Sequence, residues 1–124
     1  MTPDVSIYDH IKEYIDNVYF NRFPQGITLR NATPRVLIRN ISETVQDDKD
    51  KKGRYEVIYR VECVGTNYMN CKSVANEIRY LLLNFTDSWI YLATFESEEY
   101  DTDDTAELFM VQTDYRVFIN YVQL

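Results

Sequence analysis

The stretch Arg54–Phe85, RYEVIYRVECVGTNYMNCKSVANEIRYLLLNF, joins an alternating segment to a helical one through a short turn. Tyr55, Val57, Tyr59, Val61 and Cys63 fall on one side of an extended chain, with Glu56, Ile58, Arg60 and Glu62 on the other. Period two with one apolar side is the pattern of a half-buried strand. Gly65, Thr66 and Asn67 break it, and Thr66 or Asn67 can accept from the free N–H groups of a helix start. Beyond them Cys71, Val74, Ala75, Ile78, Leu81, Leu82 and Phe85 recur at spacings of three and four, which predicts a helix over 67–85 with one apolar stripe to bury.

Upstream, Thr2-Pro3 reads as a cap followed by proline in the first turn, and Ile7, Ile11, Tyr14, Ile15 and Val18 extend a second amphipathic helix over 3–18. Residues 19–34, with Pro24, Gly26 and Pro34, read as a connection anchored by Tyr19, Phe20 and Phe23. RVLIRNIS, 35–42, is a strand expected to pair with 54–64, with Arg35 and Arg39 on one side. Between the two strands ETVQDDKDKKG is an exposed hairpin loop, too charged to bury. Downstream, 89–95 is a dense apolar strand, Glu96–Glu107 an acidic loop, and Phe109–Val122 a long strand that alternates throughout. The order predicts one α+β domain over 1–124: a mainly antiparallel sheet of about four strands with both helices packed on one face.

A chain of 124 residues with a net charge of −7 lacks the basic footprint of a nucleic-acid binder. No apolar run is long enough to span a membrane and no secretory leader is legible, so a reducing cytoplasm fits, with Cys63 and Cys71 as small buried hydrophobes. Catalytic patterns are missing: His10 is the lone histidine and sits among charged helix positions, where it reads as a surface residue, and no cysteine or histidine spacing suits zinc. Asp101, Asp103 and Thr105 have calcium-loop spacing, but Ala106 stands where the turn needs Gly and Gln112 where a bidentate Glu belongs. No cofactor, metal or catalytic residue is expected. What remains is charge on strand faces: Glu56, Arg60 and Glu62 on one strand and Asp114 and Arg116 on the last either pair across a solvated sheet face or meet another subunit.

The succession of the N-terminal helix into VYFNRFPQG, the strands RVLIRNIS and RYEVIYRVECVG, the helix SVANEIRYLLLNF and the final ELFMVQTDYRVFIN resembles the tail terminator, or tail completion, proteins of long-tailed bacteriophages. The resemblance covers nearly the whole chain and rests on element order, lengths and the Asp114-Tyr115-Arg116 strand. It implies a structural virion protein, not an enzyme: a homo-hexameric ring that caps the tail tube, ends its growth and joins it to the head–tail connector. The implied partners are the tail tube protein and the connector proteins, with genome DNA passing through unbound and no membrane involved. The implied place is the head-proximal end of the tail, after synthesis in the host bacterial cytoplasm. Alternatives are a head-side neck or stopper protein, or a small cytoplasmic ligand-binding or regulatory protein.

Six copies of a −7 chain repel, so a ring would need apolar and tyrosine-rich contact, with Tyr100, Phe118 and Tyr121 as candidates, and added salt would favour closure. Arg60, Glu62, Asp114 and Arg116 are the candidates should ion pairs hold it instead, and Asp47, Asp48, Lys49, Asp50, Lys51 and Lys52 form the exposed contact loop.

Overall fold

The computed structural model describes residues 2–45 and 54–120. The Thr2 Oγ1 accepts from the Val5 N–H at 3.3 Å and opens helix α1 (Pro3–Lys12), with Pro3 in the first turn where its missing N–H costs nothing. Ile7 and Ile11, one turn apart, are fully buried. The helix stops at Lys12 and does not run on to 18. Val18–Phe20 leaves the helical path to form strand β1, where Val18 is buried and all three residues gain ladder partners in Val36–Ile38.

Strands β2 (Arg35–Val45) and β3 (Arg54–Gly65) form the expected antiparallel pair. Residues 43–45, assigned to a loop by their charge, continue β2 because Glu43, Thr44 and Val45 find partners in Val57, Glu56 and Tyr55. Asn67 proves to be the cap of helix α2 (Tyr68–Leu83), its side chain accepting from the Asn70 N–H at 3.1 Å. The stripe is buried as its period requires, with Cys71, Ala75, Ile78 and Leu82 at or near zero exposure. Strand β4 (Ile90–Asp103) and strand β5 (Leu108–Asn120) close the fold. The expected acidic loop over 96–107 is therefore mostly strand: β5 offers an unbroken edge, and Ser97–Asp103 pairs with it residue by residue, leaving only 104–107 to turn. Glu107 has φ +55°, and the Asp103 carboxylate accepts from the Ala106 N–H at 3.1 Å to hold the turn.

The sheet order is β1-β2-β3-β5-β4, five strands and not four, with β1 parallel to β2 and every other pair antiparallel. Val57, Tyr59, Val61 and Cys63 of β3 and Val111, Thr113, Tyr115, Val117 and Ile119 of β5 are buried beneath the two helices. Burying each large member of this layer is worth roughly 1.5–3 kcal/mol before entropy. Cys63 and Cys71 are free and buried, and burial pushes both thiols above their ordinary pKa. Tyr59 reaches through the layer to α1, donating to the Asp4 Oδ1 at 2.5 Å.

His10 departs from the sequence expectation. It is half buried, stacked on Phe85 with centroids 3.9 Å apart, and its Nε2 lies 3.0 Å from the Leu81 carbonyl at the end of α2.

Candidate assembly interface

Alternation sends Glu56, Arg60 and Glu62 of β3 and Gln112, Asp114, Arg116 and Phe118 of β5 to the face that the helices leave open. Register sets the pairs. Arg60 stands opposite Asp114, and the two meet by two hydrogen bonds, Nε to Oδ1 at 2.9 Å and Nη2 to Oδ2 at 3.1 Å. That contact raises the Arg60 guanidinium further above its ordinary pKa. Arg39 of β2 pairs with Glu62, and Arg116 bridges Glu56 at 2.5 Å and Glu96 of β4 at 2.6 Å. Four strands are thus cross-linked by ion pairs, of which Arg60–Asp114, the bidentate one, is worth a few tenths of a kcal/mol to about 1 kcal/mol.

The candidates Arg60, Glu62, Asp114, Arg116 and Phe118 therefore share one face, where Tyr91 packs on Phe118 at 5.8 Å. Tyr100 does not join them. It lies on the helix side of β4, against Tyr68 at 5.5 Å, and its hydroxyl donates to Glu98, which also holds Lys72 of α2 at 2.5 Å. Desolvation lifts the Glu98 carboxyl, but the bonds from Lys72 and Tyr100 outweigh it and keep the pKa below its ordinary value. Tyr121 and the loop residues Asp47 to Lys52 lie outside the described residues. Arg39 and Glu96 belong to the same face. Arg39 was visible as one of two arginines on a strand side, whereas Glu96 was hidden by the loop assignment of the acidic run.

One end of the open face is covered. Residues 21–34 leave β1 at Asn21, whose φ of +70° turns the chain, and pass under Gly65, whose added Cβ would meet the Asn31 carbonyl oxygen at 2.9 Å. Arg30 reaches Glu107 of the β4–β5 turn at 2.8 Å. Phe23 and Leu29 with Val64, Leu108 and Met110 line an apolar groove of about 270 Å³, rimmed by Glu62, Asp101 and Asp103. Among the described residues no three His, Cys, Asp or Glu side chains group as metal ligands do, and no helix is long and apolar enough to cross a membrane.

This fold has a solved counterpart. A chain in the structure described as the virion of a native gene transfer agent particle superposes with a TM-score of 0.63 over 95% of this chain and 87% of its own length, at 14% identity. No protein family and no curated protein matches the sequence.

Proposed function

We propose that the chain is a structural component of a phage-like virion, a non-catalytic ring subunit that caps the tail tube, ends its growth and joins it to the head connector. The likeness that runs along 95% of the chain to a component of a gene transfer agent virion carries the reading. Two further features support it. The polar side chains of the open sheet face are engaged with one another in ion pairs and aimed at no enclosed cavity. The fold is also a single sheet with two edges, a shape suited to repetition around an axis.

The test is assembly of particles without this chain, followed by electron microscopy. Tails of uncontrolled length without heads are expected, with normal tails restored when the chain is supplied and a label on it found at the head-proximal tail end. Normal tails with unjoined heads and a label on the head side would favour a neck or stopper role, and unchanged particles would overturn a virion role.

A further inference from the structure

The two edge regions of the sheet differ in the charge they leave unpaired. Residues 86–107, which contain β4, hold eight carboxylates and no Lys or Arg, while residues 17–42, which contain β1 and the start of β2, hold four arginines and no Asp or Glu; of the arginines, Arg30 and Arg39 pair with Glu107 and Glu62 of the same chain and Arg35 bonds Asn17. β4 and β1 are the two ends of the sheet. The β4 edge runs for 14 residues, and Glu99, Asp101, Asp103 and Asp104 on and beside it make no ion pair among the described residues. At the other end β1 covers β2 only at Val36–Ile38, so the outer side of β2 is vacant beyond it among the described residues. Arg22 stands exposed where β1 turns away, with no side-chain partner among the described residues.

The ladders show which parts stand at one height. Tyr100 is level with Val111, Cys63 and Val36, whereas Leu92 is level with Phe118, Glu56 and Thr44. The acidic half of β4 is thus level with β1, beside which Arg22 stands. Its exposed apolar end, Tyr91 and Leu92, is level with the vacant part of β2, beside exposed Ile41 and a hollow of about 160 Å³ at Val5, Tyr8 and Phe20, with Asp4 at its wall held by Tyr59. β4 also runs antiparallel to β2, so rotating a copy about an axis along the strands brings the two edges together in antiparallel sense with charges and apolar groups matched.

We propose that copies of this chain join head to tail through these edges, β4 of one against the β1–β2 edge of the next. Pairing β4 with β4 would set carboxylates against carboxylates when the strands run in the same sense or overlap by their acidic halves, and against apolar residues when they overlap fully, so no cation meets them in either case; charge favours the heterologous contact, which can close rings. This rests on the self-association within the ring reading, and it reverses the salt response expected from net charge alone: Arg22 and the unpaired β4 carboxylates attract across the joint although the whole chain is acidic.

Sedimentation of the purified chain from about 0.02 to 0.5 M salt tests it. Assemblies are expected at low salt, with association weakening roughly tenfold or more as salt rises. Arg22→Glu alone and Glu99→Lys with Asp101→Lys in another chain should each abolish assembly, and an equal mixture should restore it, because each variant keeps one native edge and the altered edges complement each other. Assemblies that strengthen with salt, or that survive both variants, or a mixture that fails to recover, would overturn the edge contact. A chain that stays monomeric at low salt yet completes tails would overturn it and leave the tail-end role standing, whereas salt-sensitive rings from a chain dispensable for tails would do the reverse.

Discussion

Arg60 and Asp114 face each other across the two central strands and are joined by two parallel hydrogen bonds, 2.9 and 3.1 Å long. The pair is half buried, so a double-mutant cycle with Arg60→Ala and Asp114→Ala should give a coupling of about 0.5–1 kcal/mol. Urea unfolding of the four variants measures it. Additive effects would mean that solvent screens the pair completely.

Ile78 lies mid-stripe on α2 with no exposed surface. Ile78→Ala should cost about 2–5 kcal/mol through lost burial and the cavity left under the helix. The urea midpoint should fall accordingly, while Asn76→Ala on the exposed side of the same helix changes it little.

Gly65 closes β3 against the 21–34 segment. In Gly65→Ala the new Cβ meets a backbone oxygen, Asn31 O, which no side-chain rotation relieves. A loss of about 1–3 kcal/mol is expected. Protease cutting within 21–34 should quicken in parallel, and an unchanged rate would show that the segment can shift.

Tyr59, Tyr115 and Cys63 all have pKa values pushed up, chiefly by burial, and Tyr115 reaches about 12. A raised folded pKa gives stability that is whole below the unfolded value and is lost as pH climbs above it. The unfolded tyrosines ionise near pH 10, so the denaturation midpoint should fall between about pH 9 and 12, with Tyr115 alone accounting for on the order of 2–3 kcal/mol. Tyr115→Phe should flatten that decline. An equal slope in the variant would place the alkaline loss elsewhere.

The parts legible in the sequence were those with one wet and one dry side. β3, α2 and β5 each repeat an apolar residue at their own period because one side of each meets the core. β1 was missed because three residues carry no period, and only the partner Val36–Ile38 makes them a strand. The acidic half of β4 was missed for a different reason: beyond Phe95 both of its faces leave the core, so its strand form comes from the β5 ladder and not from burial. The interface candidates followed the same division. Arg60, Glu62, Asp114, Arg116 and Phe118 share one face because alternation sends them there, while Tyr100, a candidate for its aromatic ring, stands on the other.

The strand order also constrains how the chain folds. β4 and β5 are joined by a tight turn and can zip from Asp103 and Leu108 with almost no loop to close. β3 can pair with its chain neighbour β2, but its ladder with β5 must wait, because the far end of that ladder brings Arg54 to Asn120 across the intervening helix and hairpin. Such distant pairing is slow, since loop-closure entropy is spent before the contacts repay it. The strand latest in the chain therefore lands inside the sheet, between β3 and β4, and the β4 and β1–β2 edges acquire their common height only when it does. A subunit with β5 unplaced has no correctly spaced pair of edges to offer, so incomplete chains are kept out of any assembly built on them.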